Sequence, residues 1–505
     1  MKKLTQILSV ALPVVCLLSS VTNALTVPSY QAHSLNEDPK IEPILGELDQ
    51  NEDLLYNPVD VRTLKDVYET DWFYQDLANL TQLGIIHGCP DQNYFPNRNV
   101  TLGEFIKTLV CALSYKEDID TSSVQYRLLF PENHWANTYA YAAYTHGILT
   151  REECRAEMLD SSLTRERMSY YIASALHINP CDILSPFSDE VDIYSLALYR
   201  EYLLLGRSLS DGLYADSWAF CSRAEICAIL SRIVSYLNDP YSYKSKQILN
   251  RASSSVLKQD FELWDLFYTA NKEIYTELYF STNIDLDYWI KLYLKESSMY
   301  PDIFICTSIK CNYLQGTNQY KLSITYAIDN PSSLKNMQNQ CEQIADYIVS
   351  QIIRDNMSEL EKVSAIHDFI ALNCAYDYDN YRAGTIPDSS YRSWGVFFQS
   401  KAVCQGYCSA FNMLCRAAGI SAHSVAGKCK LSEISDAAHC WSVVNIDGVN
   451  YFYDVTFDDP VPDVPNRISH QFFQMNLNTL LNYQYLFDVG DLNPLYFSTP
   501  DSKAI

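Results

Sequence analysis

Hydrophobic and polar positions follow two different periods along this chain. Between 403 and 417, small or apolar residues fall at Cys404, Tyr407, Cys408, Phe411, Leu414 and Cys415, the three-and-four spacing of a helix with one buried face. Residues 441–446 and 449–455 read as strands instead, and Asp447-Gly448 between them is a strong two-residue turn signal, so together they predict a hairpin. If Ile446 faces Val449, Trp441 faces Asp454, and His439 lies diagonal to Asp454 on the same face. A slip of one residue would put the two on opposite faces. Upstream, 260–276 and 332–354 predict helices and 300–305 and 320–328 predict strands. His367-Asp368 sits in an amphipathic helix whose plain role is packing.

The first half repeats with a period of ~50 residues. The units span 66–113, 130–176 and 187–236. Each predicts a helix, a turn ending in Gly (Gly84, Gly147, Gly206), a loop, and a second helix capped by Thr or Ser. The wider division is an acidic linker at 25–60, the repeats at 61–238, a linker at 239–255, an α/β lead-in at 256–340 and a final domain at 341–505. Residues 1–24 read as a cleaved export signal: Met1-Lys2-Lys3, an apolar run over 7–18, then Thr22-Asn23-Ala24. No later stretch approaches the length of a membrane span.

Composition narrows this picture. A chain of 505 residues with 48% hydrophobic residues supports several cored domains rather than disorder. A net charge of −24 argues against nucleic acid and against anionic membrane surfaces. No HExxH, paired CxxC or EF-hand loop is present, so neither a metal nor a cofactor is expected. Removing the leader takes Cys16 with it and leaves an odd number of cysteines. Cys306 with Cys311, and Cys429 with Cys440, are candidate disulfides, while Cys111, Cys227 and Cys415 read as buried apolar residues.

Candidate chemistry concentrates in Cys404, His439 and Asp454. Cys404 falls at a helix start, where free N–H groups and the dipole favour a thiolate. A nucleophile, a base and an orienting carboxylate are the minimum set for thiol catalysis. His423 is a weaker alternative base, and Asp458 and Asp459 read as capping or turning the chain after the hairpin. The motifs Cys404-Gln405-Gly406-Tyr407, His439-Cys440-Trp441, Ile446-Asp447-Gly448 and Tyr453-Asp454-Val455-Thr456 resemble the bacterial transglutaminase-like (papain-superfamily) domain. That resemblance implies an α+β fold with an antiparallel sheet, with Cys404 as nucleophile, His439 as base and Asp454 as orienter. It also implies a protein or peptide substrate, by peptide or amide hydrolysis or by acyl transfer to an amine. Gln399 is the candidate for the second oxyanion donor, beside the Cys404 backbone N–H.

The repeats resemble S-layer homology (SLH) repeats, an all-α family that binds secondary polymers of the Gram-positive cell wall. The likeness implies a secreted, wall-associated protein and points to Arg165, Arg223, Asp189, Trp72 and Trp135 as polymer-binding residues. An Arg fork suits an acidic sugar, and an aromatic ring can cover a sugar face. The pattern is degraded: Leu102 stands at the arginine position of the first unit, and Arg167 replaces a usual Glu in the second. Plainer roles compete, the arginines as solvated charges and the tryptophans as core anchors. A non-catalytic wall-binding or adhesion protein is the alternative for the whole chain.

Overall fold

The computed structural model describes the backbone of Leu8–Ala11 and residues 60–487, apart from 87–91, 116–120, 122, 131–132, 181–184, 327–329, 355, 430–436, 460 and 465. The acidic stretch 25–60, except Asp60, and the export signal, except Leu8–Ala11, lie outside the described residues. These fall into two compact units divided between Lys244 and Ser245. No described helix is long and apolar enough to cross a membrane.

In the first unit, helices Leu102–Ala112, Arg165–Ala175 and Arg223–Asn238 each begin after a side-chain cap, from Thr101, Thr164 and Ser222. Thr101 with Glu104 and Ser222 with Glu225 form reciprocal capping boxes. Thr164 accepts only the Arg167 N–H, because Arg167 has no carboxylate to reach back. The three segments before these helices interlock in a ring. Val100 N–H donates to Cys221 O, Cys221 N–H to Leu163 O, and Leu163 N–H to Val100 O, each at 2.9 Å. Leu102, Phe105, Leu163, Ile172, Leu198 and Leu230 are fully buried in this unit. The all-helical expectation needs one correction, since Arg207–Leu209 and Gly212–Tyr214 form a short antiparallel hairpin.

Residues 239–255 are not a linker but largely the helix Pro240–Ser254. Asp239 accepts the Ser242 N–H and Pro240 follows it, a start signal passed over in the sequence.

The second unit holds two larger sheets, besides a short parallel pairing of Ala375–Tyr376 with Lys401–Ala402. In one, Cys306–Leu314 pairs antiparallel with Gln319–Tyr326, which pairs with Glu277–Thr282. Leu8–Ala11 lies along the outer edge of Cys306–Leu314. The strand expected at 300–305 begins later, at Cys306. Residues 300–305 are instead a buried turn, with the Ile303 and Phe304 N–H groups both on Tyr300 O. The second sheet runs in the order Val449–Tyr453, Ala437–Ile446, Ala422–Cys429, Tyr485–Leu486, with antiparallel pairing throughout. One face carries Val444, Ile446 and Tyr453 against the helix Cys404–Ala417 through Tyr407, Phe411 and Leu414. Helices Pro331–Ile352 and Glu359–Asn373 pack into the same core through Cys341, Ala345, Ile366 and Ile370. The opposite face carries Trp441, Val443, Phe452 and Tyr485.

Neither candidate disulfide forms. Cys306 and Cys311 stand five positions apart on one strand, about 16 Å, far beyond disulfide reach. Cys429 opposes Ala437 whereas Cys440 opposes Ala426, three rungs away, about 10 Å.

Candidate active site

Cys404 is the first residue of its helix, after Val403 in extended conformation. The Val403 N–H donates to Ser390 O at 2.9 Å, pinning the helix start to the preceding loop. Gly406 makes that approach possible: a Cβ there would lie 2.5 Å from Ser390 O. The half-buried Cys404 thus stands at the helix N-terminus, where the dipole favours a thiolate.

His439 comes from the strand Ala437–Ile446, opposite Gly427. A side chain at 427 would meet Leu486 O at 2.2 Å and the Trp441 ring at 2.8 Å, so the neighbouring strand can close here only over glycine. The hairpin register is the expected one, Ile446 facing Val449 and Ser442 facing Tyr453, with Asp447 and Gly448 both at positive φ. Beyond Tyr453 the chain leaves the ladder, and Asp454 caps the short helix Val455–Asp458. The shared face brings His439 Nε2 to 2.6 Å from Asp454 Oδ2. With Nε2 so engaged, Nδ1 is the ring nitrogen left for the Cys404 thiol, whose sulfur is among the groups that raise the His439 pKa. Phe457 stacks on the imidazole, centroids 4.4 Å apart at 24°.

Electrostatics follow from this packing. Burial disfavours the His439 cation, but the Asp454 carboxylate and the Cys404 sulfur outweigh it and hold His439 well above the ordinary histidine range. Asp454 is 1% exposed, and its Oδ2 also accepts the Tyr485 hydroxyl at 2.6 Å while Oδ1 accepts the Phe457 N–H at 3.2 Å. Tyr485 was missed in the sequence. It lies 46 positions beyond His439 on a two-residue strand, and only its pairing with Cys429 brings it to the site. Cys408, one turn along the nucleophile's helix, and Cys440, next to His439, are both buried, and burial pushes the Cys408 thiol well up.

The remaining expected residues are placed less uniformly. Gln399 Oε1 accepts the Ser389 hydroxyl at 2.8 Å, which orients the side chain and leaves its amide N–H groups as donors. His423 is fully buried, 6.1 Å from the Tyr300 ring, and is not beside Asp454. Asp458 and Asp459 do more than turn the chain: Asp458 accepts the Phe472 N–H and pairs with His367 Nε2 at 3.2 Å, and Asp459 accepts the Tyr407 hydroxyl.

In the repeat unit, Arg165 donates through Nε to Ala215 O at 2.8 Å and pairs with Glu225 at 3.0 Å. Arg223 donates through Nε to Tyr94 O at 2.7 Å and lies over the Tyr94 ring. Each arginine therefore ties its helix to a loop distant in sequence and is no free solvated charge. Asp189 accepts the Ala215 and Asp216 N–H groups, as Asp66 accepts those of Tyr94 and Phe95. Trp72 and Trp135 are 65% and 53% exposed, so they are not core anchors.

Comparison with known proteins agrees with this division. The profile of the Transglutaminase-like superfamily matches residues 346–453, and that of the S-layer homology domain matches 63–106. No curated protein matches the chain. Among solved structures, one described as a TGase is 18% identical, with a TM-score of 0.20, over 39% of this chain and 55% of its own. A provisionally named cysteine protease from Cytophaga hutchinsonii is 17% identical, also at 0.20, over 27% of this chain and 52% of its own. The chain thus spans about half the length of each of these structures. It is a multidomain chain with an SLH region and a transglutaminase-like region.

Proposed function

We propose that this is an exported, wall-associated thiol enzyme working through a Cys404–His439–Asp454 triad. The observation that carries the reading is the 2.6 Å contact between His439 Nε2 and the buried Asp454 carboxylate, beside a cysteine at a helix N-terminus. His439 takes the Cys404 proton, and the sulfur attacks an amide carbonyl. The tetrahedral intermediate collapses as the C–N bond breaks, and the leaving amine takes the proton from His439. Water then attacks the thioester, giving its proton to His439, and the carboxylate product leaves as Cys404 is reprotonated. An amine in place of water would make the same acyl-enzyme a transglutaminase. Helix N–H groups at Cys404, with the Gln399 amide, are the donors for the developing oxyanion. Asp454 holds the imidazole in one tautomer and stabilises its cation, and Tyr485 holds Asp454.

Three SLH-type repeats anchor the chain to a secondary wall polymer in this reading. Its support is the cyclic backbone ring of the three pre-helix segments and the outward tryptophans, alongside the profile match at 63–106.

The test is incubation of the full chain with wall-derived and protein peptides, with and without a primary amine, followed by intact-mass analysis. An acyl adduct on Cys404, absent in Cys404→Ala and turned over to free acid, supports hydrolysis. Turnover only with the amine would select acyl transfer. The absence of any adduct across the peptide set, with Cys404 intact, would leave the non-catalytic binding reading in its place.

A further inference from the structure

The mechanism does not use the buried His367. His367 sits on the helix Glu359–Asn373 with no exposed surface, and its Nε2 is 3.2 Å from Asp458 Oδ2. Asp458 is itself fully buried and accepts the Phe472 N–H through both oxygens, so it is fixed as an acceptor and orients the His367 ring. The other nitrogen, Nδ1, then points at Asp368 Oδ1, 3.0 Å away. The same oxygen lies 2.7 Å from His470 Nε2. Two imidazole nitrogens and one carboxylate oxygen converge, all within 4.8 Å of one another.

We propose that His367, Asp368 and His470 form a binding site for a divalent d-block cation, zinc or a metal of similar preference. Three features favour a cation. Asp368 Oδ1 faces one ring nitrogen of each histidine at once, 3.0 Å from His367 Nδ1 and 2.7 Å from His470 Nε2, so three ligand-type atoms converge on one point. Ligand atoms around a tetrahedral zinc lie about 3.3–3.5 Å apart, given bond lengths of about 2.0–2.2 Å. The two separations from Asp368 Oδ1, 3.0 and 2.7 Å, are shorter than that spacing and the third is within 4.8 Å, so closure on a cation moves these side chains slightly apart. The Asp458 carboxylate on the far nitrogen of His367 is the outer partner that metal-bound histidines characteristically have.

Access is one-sided. Phe473 packs edge-on to His367 and His470, at 5.1 and 5.4 Å, and closes one wall. His470 is 45% exposed at the other, leaving a route in and an open coordination position. Sequence spacing concealed the set, because His470 is 102 positions from Asp368. The site sits behind the triad. Phe472, two residues after His470, accepts the Asp454 N–H at 3.0 Å and donates to Asp458. A bound cation would clamp this segment to the helix Glu359–Asn373 and stiffen the brace on Asp454.

The test is titration of the metal-stripped full chain with zinc against a chromophoric chelator, repeated with cobalt(II) for its visible spectrum. The proposal predicts a single equivalent bound, a raised unfolding midpoint, and a cobalt spectrum of nitrogen and oxygen donors without a thiolate charge-transfer band. Binding should vanish in His470→Ala, an exposed and structurally mild change, and in Asp368→Asn. Asp458→Asn should weaken it by about 10- to 100-fold. No binding to the parent chain, binding unchanged in both ligand variants, or a thiolate band would each overturn it.

Discussion

Cys404, His439 and Asp454 could be named from the sequence because each lies in a segment whose local pattern is strong. The turn at Asp447-Gly448 set the register, and register alone put His439 and Asp454 on one face. What holds Asp454 was not legible, because Tyr485 reaches it through a two-residue strand that carries no periodic signal. Tyr485→Phe should cost about 1.5–3 kcal/mol of stability, as for a hydrogen bond to a charged group, and lower turnover about tenfold. Thermal unfolding and kcat separate the two effects. Asp459 allows a pH prediction. Burial, the largest influence, lifts its carboxyl to about 6, against the hydrogen bond from Tyr407. The folded state therefore binds the proton more tightly than the unfolded chain. Stability associated with Asp459 is present below the ordinary aspartate range and falls as pH rises towards 6. Asp459→Asn should gain about 1–2 kcal/mol at neutral pH, and nothing below about pH 3.9. Unfolding midpoints across that range check it.

At the scale of elements, the sequence was most legible where capping and periodicity agree. The three capped helices of the repeats and the helix at Cys404 stand where expected. Expectation failed where burial replaces alternation. The run 300–305 is apolar enough for a strand but is a buried turn, and Asp302 within it pairs with Arg416 at the far end of the nucleophile helix. The strand Glu277–Thr282 and the helix Leu286–Met299 were passed over in an aromatic-rich stretch with mixed periods. Among the repeat residues, Arg165 and Arg223 hold loops, so replacing them confounds binding with folding. The exposed tryptophans are cleaner probes. Trp72→Ala with Trp135→Ala should leave the unfolding midpoint nearly unchanged and remove most co-sedimentation with wall sacculi. Retained co-sedimentation would take these rings out of the anchoring surface.

For the whole molecule, charge and cysteine usage constrain the account more than length does. A net charge of −24 argues against nucleic acid and anionic membrane surfaces as partners. All the described cysteines but Cys111 and Cys404 are buried. Burial holds thiols such as Cys408 and Cys415 well up, so a reactive Cys404 should stand apart from them. The most direct test of the triad is alkylation of the purified chain with iodoacetamide across pH, read at each cysteine by mass spectrometry. The account predicts that Cys404 reacts faster than Cys408 and Cys415 through the neutral range, and that His439→Ala slows it. Equal rates at the three positions, or no effect of His439→Ala, would contradict it.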